Sequence, residues 1–196
     1  MEIWEEIAFD RESGAKRLVA ELGDRLLTAA CQITQNSADA EDLVFRTLSQ
    51  VIAKAGQYDG RSAFYTWIYR ILLNFRRMDL RRKGANSLVF MEELPETADP
   101  APDPAEVFAL DSSAAAVRAG VAWLPEPLRE TVVLHYFEGL GVPEIAALTE
   151  VPVGTVKYRL FEARKQLARY LVQTNFRNSA SKQNGGTERQ IRRADR

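Results

Sequence analysis

The chain has 196 residues and a formal net charge of −1, with 26 basic and 27 acidic side chains, so it is no polycation and any polyanion must be held by local patches. A single cysteine, Cys31, excludes an intramolecular disulfide, and one cysteine with one histidine, His135, excludes the usual zinc ligand sets. The length allows one domain or two small ones.

From the start of the chain, Met1-Glu-Ile-Trp-Glu-Glu6 is acidic and lacks the positive flank of a signal peptide. No apolar run approaches the ~20 residues of a membrane span, so no membrane insertion and a cytoplasmic setting are expected. Leu18, Leu22, Leu26, Ala30 and Ile33 recur at helical spacing, and the polar Gln35-Asn-Ser37 ends that helix. Cys31 falls within its apolar pattern and reads as an inert packed thiol. Ala40, Leu43, Val44, Thr47, Leu48, Val51 and Ile52 form a second stripe, with Ser37 or Asp39 as its expected N-cap and Glu41 and Asp42 suited to the helix dipole. After the turn Tyr58-Asp-Gly60, a third helix directs Phe64, Trp67, Ile68, Ile71, Leu72 and Phe75 inward. Three amphipathic helices can share a core, so residues 1–84 read as one helical domain.

Charge is segregated along the chain. Residues 61–83 carry seven bases against one acid, Asp79, whereas residues 84–111 carry seven acids and no base. In the third helix Tyr65 and Tyr69 interleave with Arg61, Arg70, Arg76 and Arg77, a pattern in which rings stack on unpaired bases while cations follow phosphates. Residues 85–110 include four prolines between Pro95 and Pro104, which forbid a continuous helix and predict a flexible acidic linker.

Residues 111–173 form the second expected domain. A helix over Pro127–Phe137 leads to a short helix opened by Pro143, with Ile145 and Leu148 inward, and to the turn Thr149-Glu-Val-Pro-Val153. The next helix buries 153, 156, 160, 163, 167 and 171 and turns Lys157, Arg159, Arg164 and Lys165 away from that face. Short helix, tight turn and long basic helix make a helix-turn-helix suited to the major groove, with the Thr155 hydroxyl near a helix start that favours phosphate. Residues 174–196 have no apolar period and read as a disordered tail. The fold class is therefore all-α: two small helical domains, a linker, and a helix-turn-helix in the second.

These segments together resemble the extracytoplasmic-function sigma factors of bacterial RNA polymerase, over roughly 18–83 and 117–171. The resemblance is carried by Ser37-Ala-Asp-Ala-Glu-Asp-Leu43, by Tyr58-Asp-Gly-Arg-Ser-Ala-Phe-Tyr-Thr-Trp-Ile-Tyr-Arg-Ile71 with Asn74, Asp79 and Arg82, and by Leu124-Pro-Glu-Pro-Leu-Arg-Glu130, Glu138-Gly-Leu140, Glu144-Ile-Ala146 and Val151-Pro-Val-Gly-Thr-Val-Lys157. It implies core polymerase docking at Asp39, Glu41, Asp42 and Leu43. It implies minus-10 single-strand binding and promoter opening at Arg61, Ser62, Phe64, Trp67, Arg70 and Asn74. Minus-35 duplex binding falls to Thr155, Lys157, Arg159 and Arg164, with Arg129 on a backbone phosphate. The implied partners are core RNA polymerase, promoter DNA and an anti-sigma factor; no cofactor, metal or catalysis by the chain itself is expected.

The chain departs from the family pattern at Phe45-Arg46, where a Gln-Glu pair is usual, and at Glu150, where glycine is frequent. Two other classes fit parts of the sequence. A stand-alone regulator would use the same helix-turn-helix on paired half-sites. A recombinase would need Tyr65 or Tyr69 as nucleophile beside Arg70.

Overall fold

The computed structural model describes residues 2–84 and 114–194, with side chains through 174; the expected linker at 85–110 lies outside the described residues. The first unit comprises α1 (Ile3–Phe9), α2 (Arg11–Thr34), α3 (Ser37–Lys54), a 3-10 turn at Ala55–Gln57 and α4 (Phe64–Arg82). The second comprises α5 (Ala114–Trp123), α6 (Glu126–Val132) with a π-helical turn at Val133–Phe137, α7 (Val142–Thr149) and α8 (Val153–Ala194). No strand occurs among the described residues, in keeping with the all-α expectation.

The ends of these helices follow from local chemistry. Asp10 caps α2 by accepting the Glu12 and Ser13 amides at 3.1 and 3.3 Å. The expected N-cap of α3 shifts by one residue or more: Asn36, not Ser37 or Asp39, accepts the Asp39 amide at 3.0 Å. Pro127 lies in the first turn of α6 and Pro143 in that of α7, where an amide would have no helical acceptor. The Glu144 carboxylate closes the start of α7 by accepting the Gly141 amide at 2.8 Å.

Leu18, Leu26, Ile33, Leu43, Ile68 and Leu72, each at most 1 % exposed, fill the core of the first unit, where α2 packs on α3 and α3 on α4. Burying each such side chain contributes about 1.5–3 kcal/mol. Helix α1, unforeseen in the sequence, folds back on α2 at Gly14, where an added Cβ would lie 2.4 Å from the Ile7 backbone nitrogen. In the second unit Val156, Leu160, Ala163, Leu167 and Leu171 form the buried stripe of α8. Val153, expected on that stripe, is 42 % exposed because it opens the helix beyond the reach of α7. The α8 backbone is helical to Ala194, where a disordered tail from 174 was expected; Ala, Gln, Lys and Arg in that segment are good helix formers.

The two units are packed together, α4 against α7, and α2 against α6 and the π-helical turn. This contact was not legible in the sequence.

Candidate nucleic-acid interface

The loop between the 3-10 turn and α4 is built around four rings. Tyr58 meets Trp4 edge-on at 5.4 Å between centroids and Phe64 at 5.2 Å, and Phe64 stacks on Trp67 at 5.6 Å. The Tyr58 hydroxyl donates to the Ser62 carbonyl, closing the loop across Gly60, whose φ of 71° suits a residue without a side chain. Beyond this support Arg61, Arg70 and Asn74 are exposed, and Ser62, Phe64 and Trp67 are half-buried. Arg61 pairs locally with Asp59 at 3.2 Å. The loop thus offers cations and an amide beside an aromatic bed, the elements needed to hold unpaired bases.

At the start of α3, Glu41 and Asp42 are exposed, while the Asp39 carboxyl, bonded to Lys83 at 2.6 Å, is held below the usual range by that ammonium. Arg46 links Asp42, at 2.8 Å, to Asp79, at 2.5 Å, and lies over the Phe75 ring, so this departure from the family pattern ties α3 to α4. Its neighbour Phe45 is 72 % exposed and extends the acidic end of α3 with an apolar surface.

In the second unit the first turns of α8 present exposed Lys157 and half-buried Thr155, Arg159 and Arg164. Burial lowers the Arg159 pKa, with the Glu130 charge opposing that shift. Burial raises the Glu130 carboxyl, with Arg159, Arg77 and Arg76 pulling the other way. The turn between α7 and α8 passes through Glu150 at φ 59° and ψ 37°, the left-handed region, where the family's frequent glycine would be free of strain.

The chain matches the sigma-70 region 2 profile over residues 18–86 and the sigma-70 region 4 profile over residues 115–167. It is 30 % identical over 163 residues to the RNA polymerase sigma-H factor of Pseudomonas aeruginosa, covering 79 % of this chain and 84 % of that one. It is 31 % identical over 139 residues to the extracytoplasmic-function RNA polymerase sigma-E factor of Escherichia coli, covering 67 % and 73 %. The chain belongs to the extracytoplasmic-function sigma factors. Among solved structures it resembles CnrH in complex with the cytosolic domain of CnrY, with a TM-score of 0.60, 26 % identity, and coverage of 87 % of this chain and 96 % of that one. As a sigma factor it directs RNA polymerase to specific promoters for transcription initiation.

Three sequence expectations for this sigma factor need correction. Leu43 is 1 % exposed, so it packs inside under α3 and does not offer the surface expected for docking. Arg129 does not face outward: its guanidinium donates to the carbonyls of Leu124 at 2.7 Å and Ile33 at 3.1 Å, and burial lowers its pKa. Tyr69 is fully buried, and its hydroxyl donates to the Tyr65 hydroxyl 3.2 Å away, whose own proton goes to Glu138, so it cannot stack on a base. Burial pushes both phenols well above their usual range, which disfavours the phenolate that the recombinase reading would need. His135 is structural, with Nδ1 placed 2.9 Å from the Leu140 carbonyl.

The sequence reading missed Trp4 and Arg25. Trp4 stands behind the loop at Asp59–Ala63, and Arg25 reaches the second unit, bonding the Glu138 carboxylate at 2.8 Å. An aromatic residue in a short helix start was the available signal for the first; nothing local marks the second.

Proposed function

We propose that the sigma factor divides promoter recognition between its two units. Residues 1–84 dock on core polymerase through the acidic end of α3, where Asp39, Glu41 and Asp42 lie, and hold the opened minus-10 strand with Arg61, Ser62, Phe64, Trp67, Arg70 and Asn74. Residues 111–173 hold the minus-35 duplex through Thr155, Lys157, Arg159 and Arg164. The ring-backed loop at Asp59–Ala63 carries this reading: Tyr58, Phe64 and Trp67 fix a short segment whose exposed face combines a cation with partly exposed aromatic surface. Unpaired bases stacked there would stabilise the open promoter by about 1–3 kcal/mol each. The polymerase performs the chemistry, and this chain performs none.

Lys157 is exposed at the start of a helix whose free amides also favour a phosphate, so duplex binding is expected to weaken with rising salt. Residues 85–110 are proposed to run through the polymerase toward the RNA exit path. The protein acts in the cytoplasm, and an anti-sigma factor is its proposed negative regulator, supported by the similarity to CnrH, which was solved in complex with the cytosolic domain of CnrY.

In vitro transcription with purified core polymerase and mapped start sites tests the assignment. Trp67→Ala and Asn74→Ala should leave duplex binding in a gel shift unchanged while abolishing opening, read by permanganate reactivity of unpaired thymines. Lys157→Ala should do the reverse. Equal loss of duplex affinity in both sets would refute the division of labour.

A further inference from the structure

The family resemblance implies an apolar docking residue at Leu43, which the structure buries; the apolar side chain that the start of α3 turns outward is Phe45, 72 % exposed. So exposed a ring adds little to the core of the first unit, and the fold supplies no reason for its place. It lies one turn beyond the exposed Glu41 and Asp42. Half-buried Leu48 and Ile52 continue the same face at spacings of three and seven. At 1.5 Å per residue this apolar stripe runs about 10 Å along α3, starting from an acidic end.

Arg46 adds a separate observation. Its guanidinium folds back along the helix, reaching Asp79 at 2.5 Å and Asp42 at 2.8 Å, and lies 5.1 Å from the centre of the Phe75 ring. The base is spent on acids of its own unit, so it adds no free positive charge beside Phe45. Asp39 is likewise held by Lys83 at 2.6 Å. Glu41 pairs with no base among the described residues. An open ring and an uncompensated carboxylate therefore stand four residues apart on one helix face.

We infer that Phe45 is the anchor of core polymerase docking in this chain and determines which polymerase surface it accepts: an apolar socket edged by a base that meets Glu41. The inference rests on the reading of this end of α3 as the docking end. A Gln-Glu pair, usual at these two positions in the family, offers hydrogen bonds and a charge; Phe45 with an inward Arg46 offers apolar area instead. Aromatic anchors inside a polar rim carry most of the energy of many interfaces, and Glu41 and Asp42 supply that rim. Arg46 is a positioning residue, since it fastens α3 to α4 beneath the ring and keeps its own charge off the face. A second copy of the chain fits the face less well. A two-fold contact through Phe45 would set Glu41 and Asp42 of one copy against the same carboxylates of the other.

The test measures the affinity of the full chain for immobilised core RNA polymerase of the same organism, with the melting temperature of each variant beside it. Phe45→Ala should weaken core binding about tenfold to a hundredfold, the range for burying one large apolar side chain, and leave the melting temperature unchanged. Phe45→Leu should keep most of the affinity, and Phe45→Gln should not. Glu41→Lys should also weaken binding. Its loss should shrink as salt rises, whereas that of Phe45→Ala should persist, because salt screens charge and does not weaken apolar burial.

Core affinity that Phe45→Ala or Phe45→Gln leaves unchanged, beside a loss in Glu41→Lys, would overturn the inference and leave the docking reading in place. Unchanged affinity in every variant would overturn both. Sedimentation of the unsubstituted chain as a dimer that Phe45→Ala returns to monomer, with core binding unaltered, would assign the ring to a second copy and overturn the inference as well.

Discussion

Helix α4 commits two of its arginines to acceptors on the second unit, whereas α8 turns its first lysine to solvent. Arg76 and Arg77 end on Glu126 and Glu150, and Lys157 is exposed. The contrast teaches that two basic helices in one chain can be limited by different things. Access to the first turns of α8 needs no rearrangement, while access to the inner face of α4 means replacing one set of acceptors by another. The loop at the start of α4 adds a further difference, because its shape depends on α1 behind it.

The contrast breaks most severely if the second unit is loosened. Leu160, 6 % exposed on the buried stripe of α8, should cost about 2–5 kcal/mol when cut to alanine. Duplex minus-35 binding in a gel shift should fall, while binding of a single-stranded oligonucleotide at the loop of the first unit should persist. A parallel fall in both would mean that the second unit also holds the first in shape.

A smaller disturbance falls on the first unit alone. Gly14→Ala forces α1 away from α2, since the new Cβ would sit 2.4 Å from backbone nitrogen and no side-chain rotation can relieve it. Overpacking of this kind costs about 1–3 kcal/mol, visible as a lowered melting temperature. Promoter opening should drop while duplex minus-35 affinity stays unchanged. Trp4→Ala is milder: it removes the edge contact with Tyr58, worth about 0.5–1.5 kcal/mol, without moving α1 by force. Permanganate reactivity should fall by a fewfold, and Trp4→Phe should recover most of it. If Phe fails to rescue, the ring cluster is not what positions the loop.

Much of the fold could be read from the spacing of apolar residues. Leu18 to Ile33, Ala40 to Ile52 and Val156 to Leu171 are continuous stripes with a period near 3.6, and each is a buried helix face. Helix α1 escaped because seven residues with Ile3, Trp4 and Ile7 give too short a pattern to stand out. Tyr69 could have been placed correctly, since it lies one turn from Leu72 and Leu73 on a face that is buried throughout; interleaving with arginine suggested an outward ring instead. Arg129 could not, because its acceptor at Ile33 lies 96 positions away in sequence. The same holds for the carboxylates that join the second unit to the first. Glu126, Glu138 and Glu150 look locally like dipole, loop and turn residues, and only tertiary packing gives them a common target.

Glu150 carries the smallest of the expected effects and the cleanest sign. Its carboxyl sits below the ordinary value of 4.5, through the hydrogen bond with Arg77 first and then the charges of Arg77 and Arg81. Because the packed units lower this pKa, the pair contributes stability fully above the ordinary value and loses it as pH falls through the lowered one. Between pH 7 and 5 the melting temperature should therefore not respond to this group. Further acidification should lower the melting temperature of the unsubstituted chain more than that of a Glu150→Gly chain, which starts with the pair already absent. The side chain is 71 % exposed, so salt screens the pair and the difference between the two profiles should shrink as ionic strength rises. Superimposable profiles at low salt would show that Arg77 and Glu150 meet without holding the units together, leaving that to the pairs at Glu138 and Arg76.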